Sequence, residues 1–334
     1  MDPAPMTFRH PHRMRPYARQ QHGRTLIELM IAIVLSLLIV AAVGSLYIFT
    51  SQSARTSQQS SSAEERGRIA MFLLGEPITM AGFGNVNSGS LSTRFGAVAL
   101  QGPHLRACSN GRFTDPANLD FTCVPSATPG DALFVAFQAE SATGIAPQGT
   151  QPLRDCVGSA APLVGDALTA RNVYSIEQTA GGALELQCLG NGGGARQGLI
   201  RDIEDFKVYF AFDTAGYNRA GVNPANFTVQ PSGLLTAAQV NALPVVQNED
   251  PNTSASNAWN HVVAVFVCVQ LRASEVGSTP DGVSRYRPCP QDEVEAATGT
   301  AEVAVNDGFA RRTITQVFTL RTRAQAVPAS KFLP

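Results

Sequence analysis

The hydrophobic pattern of the chain begins with one unbroken apolar run near its N-terminus. Between Leu29 and Phe49 the only polar groups on side chains are the hydroxyls of Ser36, Ser45 and Tyr47. A helix of this length rises by about 30 Å, which is the thickness of the hydrocarbon core of a bilayer. The pattern therefore predicts a membrane-spanning helix.

Behind this run the chain turns polar, but apolar residues keep a helical spacing. Ile69, Phe72, Leu73 and Met80 recur at intervals of three, four and seven, which predicts an amphipathic helix with this face packed on a sheet. Pro77 interrupts the pattern and predicts an end or a kink near Glu76. Two glycines, at positions 82 and 84, then favour a stop.

Beyond residue 90 the periodicity changes to that of β-strands. Residues 261–271 are apolar on both faces, which predicts a central strand covered on both sides. Residues 312–320 alternate and are expected to close the sheet. Further strands are predicted at 133–137 and 206–212, and a hairpin joins 173–178 to 183–188. Segments rich in Gly, Pro, Ser and Asn, at 141–168, 189–197 and 213–258, are predicted to be loops.

Charge and candidate chemistry exclude several classes of function. The net charge of −1 gives no electrostatic basis for binding nucleic acid. Beyond the apolar run the histidines are His104 and His261, too far apart in sequence for a metal-binding motif. No nucleophile elbow, zinc-protease motif or phosphate-binding loop is present. We therefore expect no enzyme activity, no cofactor and no metal.

The cysteines indicate an oxidising compartment. Their count is even, their spacing is wide and no C-x-x-C pair occurs, so disulfides are expected. Sequential pairing is favoured because each bond would close a short loop, stabilising the fold by about 3 kcal/mol, although 15 connectivities are open. The favoured pairs are Cys108–Cys123, Cys156–Cys188 and Cys268–Cys289.

Three interpretations of the N-terminal run differ in what happens to it. Five arginines precede the run and predict that the N-terminus stays in the cytoplasm. The first interpretation is a plain signal anchor, which would have this orientation. An ordinary secretory signal is the second interpretation, since Ala42-Val43-Gly44 offers small residues for cleavage. Neither interpretation explains Glu28, because a carboxylate beside a lipid-spanning run is costly and such residues usually have a function.

The third interpretation rests on the stretch GRTLIELM, from Gly23 to Met30. It resembles the class III leader of type IV prepilins, in which a membrane peptidase cuts after the Gly and the new N-terminus is methylated. The resemblance implies cleavage between Gly23 and Arg24, N-methylation of Arg24, and charge pairing of Glu28 with the α-amine of a neighbouring subunit. Arg24 departs from the family, which most often has Phe there. A start at Met14 instead of Met1 would shorten the leader to ten residues.

The stretch EERGRIAMFLLGEPITMAGFGN is similar to PilW-type minor pilins, as are residues 203–209, 259–269 and 311–323. The resemblance implies an α+β, type IV pilin-like fold with a long N-terminal helix packed on an antiparallel β-sheet. The expected division is a leader at 1–23, a transmembrane and assembly half-helix at 24–50, an amphipathic half-helix at 51–84 and a β-rich periplasmic domain at 85–334.

The expected function is a structural minor pilin that primes a type IV pilus and is incorporated in it, at its tip. Its expected partners are other minor pilins, the major pilin, the prepilin peptidase and a PilY-type tip protein. Before assembly it would span the inner membrane once, with the C-terminal domain in the periplasm. Two alternatives stay open: a J-type minor pseudopilin of type II secretion, and a membrane-anchored periplasmic enzyme or binding protein.

Overall fold

The structure is a computed structural model that describes residues 25–83, 103–138, 153–164, 167–213, 231–243, 257–277, 279 and 281–321. The chain divides into two compact units, with the boundary between Gln52 and Ser53. Helix α1 (Leu26–Met80) runs through this boundary. Up to Gln52 it is apolar and exposed, and it is long and apolar enough to cross a membrane, as the pattern predicts.

The second unit combines the rest of α1 with antiparallel sheets. One sheet has the order β1-β4-β6-β7-β8 with β5 beside β6, another has the order β10-β9-β11-β14, and β2–β3 and β12–β13 form two small ribbons. The fold is therefore α+β, as predicted. The strands are β1 (Leu105–Cys108), β2 (Gly111–Asp115), β3 (Asp120–Pro125), β4 (Ala132–Gln138), β5 (Leu163–Val164), β6 (Ala167–Gln178), β7 (Leu184–Gly190), β8 (Gln197–Arg201), β9 (Ile203–Asp213), β10 (Pro231–Leu235), β11 (Val262–Arg272), β12 (Ser284–Tyr286), β13 (Val303–Val305) and β14 (Arg311–Thr319). Two short helices, α2 (Ala237–Ala242) and α3 (Glu293–Thr298), complete the elements.

The strand predictions that rest on periodicity are confirmed. Strand β11 lies between β9 and β14 and is buried along almost its whole length, as a run that is apolar on both faces requires. Strand β14 lies at the end of the strand order of the same sheet, and its residues are exposed or partly buried except for Phe318, which is buried. Strands β6 and β7 form the predicted hairpin. Trp259 is fully buried against Phe210, and its indole N–H donates to Asn241 Oδ1 at 2.8 Å.

The predicted packed face of the second half of α1 is confirmed for Leu73 and Met80, which pack against the core, and wrong for Ile69 and Phe72. Ile69 and Phe72 are exposed, by 44% and 75%, while Leu73 and Met80 are partly buried. The buried face is instead made of small and apolar residues that follow one another at intervals of one, three or four, and glycine supplies two of them. These residues are Ala63, Gly67, Ala70, Met71, Leu74, Gly75 and Ile78.

The predicted helix end near Glu76 is wrong as well. Helix α1 continues through Pro77 to Met80. Proline removes one N–H donor, but the last turn still packs into the core through Ile78, which is fully buried. The stop that glycine favours is confirmed at Gly82, whose φ is +77° and whose N–H donates to Ala136 O at 3.0 Å.

Two of the predicted loops contain regular structure. Within 141–168 the structure has β5 and the start of β6, and within 213–258 it has β10 and α2. Helix α2 begins at a capping box formed by Thr236 and Gln239, which polar composition alone does not distinguish from a loop. Residues 189–197 form a connection between β7 and β8, as predicted.

Candidate assembly segment and the domain behind it

The first unit presents an apolar helical surface, and residues 25–50 are all exposed in the structure. Its large side chains from Leu26 to Phe49 are all at least about half exposed. The hydroxyls of Ser36, Ser45 and Thr50 donate to carbonyls one turn earlier in the helix, at 2.8, 2.9 and 2.9 Å. Because these polar groups are satisfied within the helix, the segment suits an apolar environment along its whole length.

Glu28 carries the only charged side chain between residues 25 and 52. It lies in the first turn of α1, and its backbone N–H donates to Thr25 O at 3.1 Å and more weakly to Thr25 Oγ1 at 3.4 Å. A carboxylate in the first turn interacts favourably with the helix dipole. It is exposed and forms no ion pair within the described part of the chain, so it is available to a neighbouring molecule. Gly23 and Arg24 lie outside the described residues.

Within the second unit, two glycines bring α1 close to strand β14. A Cβ atom added at Gly67 would lie 2.2 Å from Ile314 Cδ1, and one added at Gly75 would lie 2.6 Å from Phe318 Cε1. Real Cβ atoms do not come so close to a carbon atom, so the helix and the strand depend on the absence of a side chain at both positions. These glycines explain why the buried face of α1 differs from the face that its large apolar residues indicate.

Arg66 fastens the same stretch of α1 to the sheet. Its guanidinium donates to Asp202 Oδ2 at 2.6 Å, to Arg201 O at 3.2 Å and to Arg272 O at 3.0 Å. The side chain of Arg66 is only 20% exposed. The sequence alone does not predict this role of Arg66, because its partners lie on other elements. The neighbouring Arg68 is the solvated one, and it pairs with Glu64 one turn away.

A groove of about 440 Å³ opens beside α1 in the second unit. Its apolar walls come from the helix and from strands β4, β6 and β8, and Tyr174 is buried in it. Burial raises the pKa of Tyr174 well above its usual range, so this phenol stays neutral. Glu76 and Arg154 add charge to the lining, and the exposed ring of Phe72 lies at the helix side.

The six cysteines form three disulfides, in the order in which they occur along the chain. The bonds join Cys108 to Cys123, Cys156 to Cys188 and Cys268 to Cys289, with Cα–Cα distances of 5.5, 6.2 and 5.7 Å. The first ties β1 to the β2–β3 ribbon, the second ties the connection before β5 to β7, and the third ties β11 to the segment before α3. Each bond anchors a strand of a large sheet to a peripheral segment.

We expect all six thiols to be oxidised in the protein made by its native host, since exported domains retain disulfides. Peptide mapping without reductant should recover the pairs 108–123, 156–188 and 268–289. A matched digest after reduction and alkylation should show the same cysteines as separate peptides. Free thiols at two or more of these positions would contradict the expectation.

A small polar cluster is buried where the two large sheets meet. Asp131, just before β4, accepts the backbone N–H groups of Asn110 and Val208, both at 2.9 Å. Its backbone N–H donates to Phe206 O at 2.7 Å, and Lys207 Nζ lies 3.9 Å from Asp131 Oδ1. Burial raises the pKa of Asp131 to about 6, although the charge of Lys207 opposes the shift. The sequence does not predict this cluster of Asn110, Asp131 and Lys207, because the three residues lie far apart along the chain.

The described residues contain no group of three or more His, Cys, Asp or Glu side chains placed to hold a metal ion. His261 is the last residue of a short 3₁₀ turn (Asn257–His261), and its ring lies near that of Phe212, with centroids 6.0 Å apart.

Comparisons with known proteins agree with this picture. Residues 173–322 match the family Type IV Pilus-assembly protein W, PilW. Residues 18–44 match the prokaryotic N-terminal methylation motif, which contains Gly23, Arg24 and Glu28. The chain therefore contains an N-terminal methylation motif and, over residues 173–322, a region similar to the PilW family. The matched PilW region begins in strand β6 and extends beyond β14, so it includes the sheet on which Arg66 and Gly67 pack.

Among solved structures, the chain is similar to a type IV-like pilin from Thermus thermophilus. The two share 14% sequence identity with a TM-score of 0.37, over 78% of this chain and 98% of the other. No curated protein matches the sequence.

Proposed function

We propose that this PilW-domain protein is a structural minor pilin that primes the assembly of a type IV pilus and is incorporated at its tip. The observation that carries the proposal is the exposed apolar surface of α1 from Leu26 to Phe49 with the single carboxylate of Glu28 at its start. Such a surface must be covered either by lipid or by other apolar helices, because exposing it to water is unfavourable. A subunit that leaves the membrane and enters a filament exchanges the lipid around this surface for the apolar helices of its neighbours.

Before assembly, the proposed topology is that of a single-pass protein of the inner membrane. The arginines at positions 9, 13, 15, 19 and 24 keep the N-terminus in the cytoplasm, and the disulfide-bonded domain lies in the periplasm. The proposed division is a leader at 1–23, an assembly half-helix at 24–50, a helix half at 51–84 that packs on its own domain, and a β-rich domain at 85–334. The proposed partners are other minor pilins, the major pilin, a PilY-type tip protein and, for processing, the prepilin peptidase.

Mass spectrometry of pili sheared from the native host tests processing and incorporation together. We expect to find this protein in the sheared fraction, beginning at Arg24 and carrying one N-methyl group, because the methylation motif includes this position. Deletion of its gene should reduce the number of surface pili. Recovery from the membrane with a mature N-terminus at Ser45 would contradict the proposal.

A second comparison separates the pilus from the secretion alternative. A J-type pseudopilin would share the leader and the exposed helix but would be needed for type II secretion. Its deletion would block secretion of exoproteins and leave surface pili at the parental number. A membrane-anchored binding protein would leave both unchanged.

A further inference from the structure

Lysine is nearly absent from this chain, and one of its two lysines lies in the buried cluster between the sheets. Lys207 is on β9 with its side chain only 4% exposed, while Lys331 lies near the C-terminus. At the other positively charged positions the chain uses arginine. A guanidinium stays protonated under all ordinary conditions, whereas an amine can release its proton and become a nucleophile. The core position is thus occupied by the basic residue that can react.

The amine of Lys207 contacts a carboxamide. Lys207 Nζ donates a hydrogen bond to Asn110 Oδ1, so the amine nitrogen lies beside the carbonyl of that side chain. Asn110 belongs to the turn between β1 and β2, and its φ is +50°. The disulfide from Cys108 to Cys123 holds this turn, and the backbone N–H of Asn110 is fixed by its bond to Asp131. The contact is therefore positioned by covalent and hydrogen-bonded neighbours on both sides.

The third member of the cluster can carry a proton between the other two. Asp131 Oδ1 is 3.9 Å from Lys207 Nζ, and the Asp131 side chain is only 5% exposed. Its pKa of about 6, raised by burial, is close to neutrality, where a carboxyl group both accepts and releases a proton. A nucleophile, an acyl group and an acid–base group are thus brought together from β9, the β1–β2 turn and the start of β4.

We propose that Lys207 and Asn110 become joined by an intramolecular amide bond, with Asp131 as the acid–base group. The ammonium of Lys207 passes a proton to the Asp131 carboxylate, and the neutral Nζ attacks Cγ of Asn110. The Nζ–Cγ bond forms and the Cγ–Nδ2 bond breaks. Nδ2 leaves as ammonium after taking one proton from Nζ and one from Asp131, which returns to its carboxylate form. Nothing is oxidised or reduced, and no co-reactant is needed.

The site also offers a path for the leaving group. Asn110 is exposed as a residue, while Lys207 and Asp131 are buried, so ammonium departs on the solvent side. The new bond would tie the β1–β2 turn of one sheet to β9 of the other. Unlike the disulfides, this tie would survive a reducing environment. The inference stands apart from the pilus proposal, because it needs only the folded domain.

Peptide mapping of the purified full-length protein tests the bond directly. After complete reduction and alkylation, trypsin should release residues 107–112 and 202–219 as one branched peptide whose mass is lower than the sum by one ammonia. Reduction is required first, because Cys108 lies in the shorter peptide and is bonded to Cys123. Cleavage after Lys207 should be absent, since an acylated lysine is not a trypsin site. Separate linear peptides with cleavage after Lys207 would overturn the proposal.

A competing reaction gives the same mass change and must be separated from the proposed one. The sequence Asn110-Gly111 can lose ammonia by closing onto its own backbone, which leaves the two peptides unlinked. Lys207→Met should abolish the loss of ammonia, and its persistence in that variant would assign the loss to ring closure and overturn the cross-link. If Lys207→Met does not fold, mass-spectrometric fragmentation of the parental peptide distinguishes the cross-link from ring closure, because only the cross-link gives a branched product.

Two acid variants test the role of Asp131. Asp131→Asn should leave the peptides unlinked, because the amide cannot take the proton from Lys207. Asp205→Asn is the matched control: Asp205 is partly buried and influenced by the charge of Lys207, but its carboxylate is bonded to Gln291. That variant should keep the parental yield of branched peptide. Equal yields in both variants would overturn the assignment of Asp131.

Discussion

Replacing Glu28 by Gln should reduce the number of surface pili to a small fraction of the parental count. In the proposed filament the apolar surface of α1 is covered by neighbouring helices, and Glu28 is paired there with a neighbour's α-amine. Removing one member of a buried ion pair costs about 3–5 kcal/mol, since the other charge is left without a partner. Pilus counts by electron microscopy and co-purification of partner minor pilins measure the effect.

The same substitution should leave the folded domain unchanged. Glu28 belongs to the first unit, whereas the hydrophobic core of the folded domain is formed by residues of the second unit. We therefore expect the melting temperature and prepilin cleavage of Glu28→Gln to equal those of the parent. Ser36→Ala is the matched control in the same helix, because its hydroxyl bonds only to Ile33 O, and it should keep full piliation.

Comparing Gln with Ala at position 28 shows whether the loss of pili is caused by the missing charge or by the missing shape and hydrogen bonding. Gln keeps the shape and removes the charge, so it should resemble Ala if charge pairing is responsible. Full piliation with Gln and loss with Ala would show that shape or hydrogen bonding is sufficient, and the ion-pair account would be wrong.

Replacing Gly67 by Leu should destabilise the second unit by about 3 kcal/mol, because overpacking a close contact forces the helix and strand apart. A Cβ atom alone would already lie 2.2 Å from Ile314 Cδ1 and 3.0 Å from Leu271 Cδ1. For a domain of this size the melting temperature should fall by roughly 8 °C. Thermal unfolding of the detergent-solubilised full chain, followed by circular dichroism, measures the change.

Gly44→Leu provides the control for this experiment. Both substitutions raise helix propensity by the same amount, but a Cβ at Gly44 has no atom within 4 Å. The control should therefore leave the unfolding of the second unit at the parental temperature. An unchanged melting temperature for Gly67→Leu would show that α1 is not held against β14 at this point.

The sequence predicts correctly those parts of the fold that are determined by the local pattern of residues. The apolar run and strand β11 are predicted correctly because each is apolar on every face, which leaves a continuous pattern in the sequence. The buried face of α1 is predicted wrongly because its position is decided by steric room at Gly67 and Gly75. A glycine in a helix carries no hydrophobic signal, so the large exposed side chains of Ile69 and Phe72 dominate the periodicity.

The functional residues can likewise be predicted only where the local sequence pattern reveals them. Glu28 is recognised from the sequence because one charge in an apolar run is conspicuous without any structure. Arg66 and the cluster around Asp131 are not, since their partners lie on other elements. Arg66 reaches Asp202, and Asp131 reaches Lys207, through contacts that span much of the chain. Such contacts exist only once the sheets have formed, and a linear pattern contains no trace of them.

The connectivity of the disulfides has a consequence for the order in which the chain becomes locked. The three bonds close separate intervals of 15, 32 and 21 residues that neither overlap nor enclose one another. In the proposed topology the chain enters the periplasm from residue 50 onward, so the two cysteines of each bond emerge before the first cysteine of the next. At every stage of translocation, the cysteines still reduced are therefore the two that entered the periplasm last. A thiol oxidase acting on cysteines as they arrive thus produces the native connectivity without a later exchange of partners.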